Sequence, residues 1–294
     1  MAIDIGALLE TRARHPERIA ELAGARKKRP LLGASGRLFI IAADHPARGA
    51  LRIGSDPLGM GNRFDLLERL CTALARPGVD GVMATADVLE DLLLLGALEE
   101  KVVIGSMNRG GLVGASFELD DRFTGYDAET IARMGFDGGK MLVRIDRTDP
   151  GSVRTLEACA RAVDALAARQ RMAMVEPFMS HRVDGKLKND LSTEAMIHAI
   201  AISSGLGSSS AYTWLKVPVV DDMERVMASS TLPALLLGGE GGGALDAAFE
   251  RWHKALRLPT VRGLVVGRTL LYPSNGDVSA AVDTAAGLLP KETT

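Results

Sequence analysis

Eight short apolar runs recur along this chain, each followed by a polar or glycine-rich turn, and most are separated by stretches of helical periodicity. The runs are LFIIAA (38–43), GVMAT (81–85), VVIGSM (102–107), KMLVRI (140–145), MAMVE (172–176), TWLKVPVV (213–220), ALLLGG (234–239) and GLVVG (263–267). Continuous apolar runs of this length read as strands covered on both faces. Between them, RFDLLERLCTALAR (63–76) places Leu66, Leu67, Leu70 and Leu74 on one helical face. The stretches 153–170, 193–205 and 242–257 read as helices too. Strands alternating with helices require parallel pairing through right-handed crossovers. Eight such units in 294 residues predict an α/β fold of the closed (β/α)8 TIM-barrel type. An open doubly wound sheet would carry G-x-G-x-x-G after its first strand; here the first run continues into AADHPARGAL. No linker or repeat interrupts the pattern, so residues 1–294 read as one domain. Residues 1–37 form an N-terminal helical lead-in, expected as a lid over the bottom of the barrel.

A formal net charge of -2 gives no global attraction to nucleic acid or to an anionic membrane, so neither is expected as a partner. No apolar run is long enough to cross a bilayer. The opening MAIDIGALLETRARHPERIAEL has early acids and lacks the apolar core of a signal peptide, which makes the cytoplasm the expected location. Cys71 and Cys159 fall in helical stretches and read as small core residues. The basic cluster Arg26-Lys27-Lys28-Arg29 reads as a solvated face.

Lys216 sits inside TWLKVPVV, where an unpartnered ammonium would be costly to desolvate. In a barrel the site lies at the C-terminal ends of the strands, so polar residues there are the ones to collect. They include Asp44-His45, Asn108-Arg109, Lys140, Glu176 with His181 beyond it, Lys216 and Arg268. Taken singly, each has a structural explanation. Together they are complementary. Burial and a neighbouring ammonium both favour a neutral amine, the nucleophile that converts a ketone into a Schiff base. Carboxyl groups then move protons on and off the carbinolamine and the departing hydroxyl. Lys216, Lys140, Glu176 and Asp44 fit those catalytic roles. LLLGGEGGGALDAAFERW is a strand, a glycine turn and a helix start, suited to phosphate through the backbone N–H groups of the turn and the helix N-terminus. Arg268 arrives from the next strand.

AADHPARGAL, DGGKMLVRID, AMVEPFMSHR, TWLKVPVV and GLVVGRTLLYP, in that order, resemble motifs of the class I (Schiff-base) aldolases. The resemblance is to the tagatose-bisphosphate, sulfofructose-phosphate and deoxyribose-phosphate aldolase-like superfamily, and it spans roughly residues 38–275. It implies Lys216 as Schiff-base former, Glu176 as proton-transfer residue, Lys140 as a tuning residue and Asp44 as a hydroxyl ligand or proton-transfer group. It also implies Gly238, Gly239 and Arg268 as phosphate ligands. His45, Asn108, Arg109 and His181 complete the expected substrate-contacting set. His45-Pro46 and GGEGGG depart from the family pattern and bear on substrate identity. The implied reaction is reversible C–C cleavage of a phosphorylated ketose or keto-deoxy sugar acid in carbohydrate catabolism, inositol catabolism included. It needs no cofactor or metal, and the expected assembly is a homo-oligomer. Two alternatives stay open at this point. His45, Glu176 and His181 could hold a divalent ion that polarises the carbonyl, or the barrel could bind a sugar phosphate without turnover.

Overall fold

The computed structural model describes residues 3–109, 111–238 and 245–290. Its strands are β1 (Leu38–Ala42), β2 (Gly81–Ala84), β3 (Val102–Ser106), β4 (Gly138–Ile145), β5 (Met172–Val183), β6 (Lys186–Asp190), β7 (Thr213–Pro218), β8 (Ala234–Leu237) and β9 (Val261–Val266). All but β6 pair in parallel, in the ring order β4-β3-β2-β1-β9-β8-β7-β5, and a β4–β5 pairing closes the barrel. This is the (β/α)8 barrel expected from the alternation.

Alternation along each strand sorts its side chains into two clusters. Leu38, Ile40 and Ala42 join Ile104, Met174, Trp214, Leu235 and Val265 in the barrel interior. Their neighbours Phe39, Ile41 and Ala43 join Val103, Val175, Leu215 and Val217 in the outer layer, packed against the helices. The helix Arg63–Leu74 supplies Leu66, Leu67, Leu70 and Leu74 to that layer. Its first turn is fixed by Asn62, whose side-chain oxygen accepts from the amides of Phe64 and Asp65. The other expected helices run Gly151–Ala167, Thr193–Ser204 and Leu245–Ala255. Gly263, at φ 142°, lets β9 approach β1: an added Cβ would lie 1.8 Å from the Leu38 carbonyl oxygen.

The lead-in forms two helices, Ile5–Arg14 and Arg18–Ala25. Leu31, beyond them, packs against the interior cluster. One expectation for this segment fails. Arg26 is buried instead of solvated, and its guanidinium donates to the carbonyls of Leu98, Lys101 and Gly135 at 3.2, 2.7 and 3.0 Å. A planar fork of N–H donors suits several carbonyl oxygens left over at element ends. Arg29 pairs with Asp80.

β6 was not foreseen. It pairs antiparallel with the outer half of β5, through a turn in which Asp184 and Gly185 have positive φ of 51° and 75°. An Asp-Gly pair with both φ positive is a hairpin signature, so the signal was present in VDGK. It was obscured because KLKND lacks apolar alternation.

Candidate active site

Trp214 and Lys216 are two apart on β7, and Met174 and Glu176 two apart on β5, so the polar member of each pair points inward one level above the apolar plug. The same count carries the inward face of β1 from Ala42 to Asp44, and that of β3 from Ile104 to Ser106. Lys140 enters this level from β4, whose register sets it beside Ser106 on one side and Met174 on the other. The result is a charged layer inside the barrel. Asp44, Lys140, Glu176, Lys216 and Arg109 are all buried.

Glu176 is the centre of this layer. Its Oε1 accepts from Lys216 Nζ at 2.8 Å, and its Oε2 pairs with Lys140 Nζ. Lys140 Nζ also reaches Asp44 Oδ2 at 3.3 Å. That oxygen further accepts from Ser106 Oγ at 3.0 Å and pairs with Arg109 Nη1 at 3.1 Å. Burial alone would raise both carboxyls. At Asp44, Arg109 and Lys140 outweigh burial and hold the group well below the usual carboxylate range. At Glu176, Lys140 and Lys216 bring it down to about 2. The layer holds three cations against two carboxylates, and burial lowers Lys140 in spite of Asp44 and Glu176, with Lys216 and Arg109 adding to the effect. Such a layer offers a buried amine, a second amine beside it and a carboxylate bridging the two, through which a proton can pass.

Gly238, at the end of β8, lies beside β9; an added Cβ there would meet Val266 Cγ1 at 2.4 Å. Thr269 Oγ1 donates to the Gly238 carbonyl at 3.1 Å, and Arg268 begins the short helix Arg268–Leu271 next to it. The structure therefore brings Gly238 and Arg268 to one side of the barrel mouth. Gly239, and with it most of the GGEGGG turn, lies outside the described residues. His45 faces this side as well. Gly267 leaves the room its ring occupies, since an added Cβ there would meet His45 Cε1 at 2.9 Å. Burial overcomes the pull of Asp44 and, with Arg268 and Arg109 adding to it, brings the imidazole down to about 3, so it is neutral at physiological pH. His45 Nδ1 is buried with no hydrogen-bond partner among the described residues.

Two of the expected substrate ligands are employed differently. Asn108 is fully buried, and its amide clamps backbone: Nδ2 donates to the carbonyls of Leu142 and Asp121 at 2.6 and 3.2 Å, while Oδ1 accepts from the Leu142 amide at 2.6 Å. These bonds use both its donors, so it fastens β4 to the end of β3 in place of reaching for substrate. His181 is exposed on the part of β5 that pairs with β6. It lies five residues beyond Glu176, roughly 16 Å along an extended strand. His45, Glu176 and His181 therefore do not meet around one point, and no three His, Cys, Asp or Glu side chains gather for a metal ion among the described residues.

Sequence reasoning passed over Ser106, the donor to Asp44, although its place two residues before Asn108 puts it on the same inward face.

A family model described as Cgl0159-like matches residues 36–286. The crystal structure of Cgl0159 from Corynebacterium glutamicum (Brevibacterium flavum) is 57% identical and superposes with a TM-score of 0.95, covering 98% of each chain. A Schiff-base-forming fructose-1,6-bisphosphate aldolase superposes with a TM-score of 0.66 at 17% identity, covering 92% of this chain and 100% of its own. So does an archaeal fructose-1,6-bisphosphate aldolase with its catalytic lysine covalently bound to the carbinolamine intermediate, at 16% identity and a TM-score of 0.66, covering 92% and 99%. The last two likenesses are ones of fold. No curated protein matches the sequence.

Proposed function

We propose that this chain, which belongs to the Cgl0159-like family, is a class I aldolase that cleaves a phosphorylated ketose or keto-deoxy sugar acid through a lysine Schiff base. The observation that carries the reading is one buried carboxylate, Glu176, bonded to two lysines at the strand ends of an aldolase-like barrel. A structural ion pair needs one lysine; a second, equally buried, has a use in chemistry.

Lys216 is assigned the nucleophile. Lys140 is held by two carboxylates, whereas Lys216 pairs with Glu176 and has a single bond to surrender. Lys216 first passes a proton to Glu176, 2.8 Å away; the amine so freed adds to the substrate carbonyl carbon, and its surplus proton moves to the new alkoxide to give a carbinolamine. Glu176 returns to that hydroxyl the proton it took from Lys216, so that water leaves and an iminium ion remains. The adjacent C–C bond then breaks, its electrons flowing to the iminium nitrogen, as a base removes the hydroxyl proton of the departing aldehyde. The enamine takes a proton on carbon. Water hydrolyses the regenerated imine, freeing the second product and the lysine. Gly238 and Arg268 hold the phosphate, and His45 offers a neutral ring nitrogen beside it.

Borohydride reduction in the presence of dihydroxyacetone phosphate or fructose 1,6-bisphosphate tests this directly. The expected result is a stable increment in intact mass, mapped to the peptide bearing Lys216, and lost in both Lys216→Met and Lys216→Arg, because guanidinium stays protonated. An adduct on Lys140 that survives in Lys216→Met would reverse the assignment of the two lysines. Turnover with no adduct in any variant would remove the Schiff base.

A further inference from the structure

Asp44 takes three partners on one oxygen. Ser106 Oγ, Arg109 Nη1 and Lys140 Nζ lie 3.0, 3.1 and 3.3 Å from its Oδ2. The three differ in what they can give up. A guanidinium stays protonated and a serine hydroxyl stays neutral throughout the physiological range, whereas a buried ammonium can lose its proton. Arg109 is held in place by its neighbour. Asn108 bonds both backbone groups of Leu142, so the chain that presents Arg109 is fastened to the strand that carries Lys140. Asp44 is the carboxylate with which Arg109 pairs among the described residues. Four charged groups face Lys140: Asp44 beyond β1, Arg109 beyond β3, Glu176 on β5 and Lys216 on β7. The thiol of Cys159, on the helix Gly151–Ala167, also feels it, and burial pushes that thiol up, so it stays uncharged. With Lys140 neutral, Arg109 balances Asp44 and Lys216 balances Glu176. With Lys140 charged, the buried layer carries one cation too many.

We infer that Arg109 is a positioning residue: by keeping Asp44 compensated it lets Lys140 stand as a neutral amine, which frees Glu176 to take the proton of Lys216. The inference rests on the aldolase reading and adds to it the residue that sets the charge state of the site. Arg109, expected from the sequence to touch substrate, acts one step behind it. Burial would raise Glu176, and the Lys140 ammonium is the largest of the pulls that keep it ionised. Once Lys140 is neutral, that carboxylate becomes a better proton acceptor. Burial favours the neutral Lys140 amine, Asp44 and Glu176 oppose it, and Arg109 adds to burial. Ser106 gives Asp44 a bond and no charge.

The test is the rate of adduct formation with dihydroxyacetone phosphate and cyanoborohydride, compared at pH 7 and pH 9. Arg109→Gln leaves Lys140 as the one cation on Asp44, so Lys140 should hold its proton more tightly. Relative to wild type, trapping is expected to fall about tenfold at pH 7, the loss of one charge-assisted interaction. It should return to within about twofold at pH 9, where the amine is again neutral. Arg109→Lys keeps the charge and should stay near wild type at both. Ser106→Ala removes a bond but no charge, so any loss should be equal at the two pH values. A loss in Arg109→Gln that is the same at pH 7 and pH 9, or a Ser106→Ala profile that shifts with it, overturns the inference and leaves the aldolase reading standing. One measurement needs no Arg109 variant to fold. In nitrogen NMR of isotope-labelled lysine, the Lys140 signal, assigned by its absence in Lys140→Met, should be that of a neutral amine at pH 7; an ammonium signal there overturns the inference. No adduct in wild type at either pH removes it together with the aldolase reading.

Discussion

Lys216 and Glu176 face each other at 2.8 Å, yet their removal should have opposite consequences for stability. With formal charges, Asp44 and Glu176 oppose Arg109, Lys140 and Lys216. Lys216→Met leaves two carboxylates against two cations, Glu176 still paired with Lys140, and a side chain of similar volume in an apolar strand. That change should cost within ~1 kcal/mol or even stabilise, as replacing buried ions with apolar residues often does. Glu176→Gln leaves three buried cations and one carboxylate. Orphaning a buried partner costs roughly 3–5 kcal/mol. In a chain of this length that is a fall of about 6–10 °C in unfolding midpoint, at roughly 2 °C per kcal/mol. Both variants should be inactive. The assay is thermal unfolding at pH 7, followed by circular dichroism, beside borohydride trapping on the same samples. Equal destabilisation by the two substitutions would refute the reasoning, because Lys216 would then be a counter-ion that the fold needs. A stable Glu176→Gln would show that the carboxylate is not the centre of the charged layer.

Three further outcomes follow from the site. His45 is held neutral by burial, so below pH 6.5 the unfolded chain takes up a proton that the folded one refuses; unfolding measured at pH 7 and pH 5 should show a loss, up to about 1.4 kcal/mol per pH unit, that His45→Gln lacks. Arg268→Ala should raise KM roughly tenfold or more for a phosphorylated substrate and far less for its dephosphorylated analogue, as steady-state kinetics would read; equal losses for both would place Arg268 in structure. Asn108→Ala should lower stability by about 2–3 kcal/mol in urea titration, since it strands the buried Leu142 backbone groups, while the apparent affinity in trapping changes little in the molecules that remain folded.

The sequence by itself determined the barrel and the direction in which its charged residues point. Eight apolar runs separated by helices leave few topologies, and a side-chain period of two puts Lys216 on the face of Trp214 and Glu176 on the face of Met174. Those are local consequences of chain geometry and can be counted along one strand. What one strand cannot give is the height of its residues against those of its neighbours, and tertiary structure alone decided that. Pairing of Leu142 with Glu176 and of Met174 with Trp214 sets Lys140 and Lys216 on either side of one carboxylate. Asn108 and His181 show the same limit from the other side. Both stand at strand ends in the sequence, but the first meets a neighbouring backbone, and the second is carried away because β5 runs on past the rim into a hairpin.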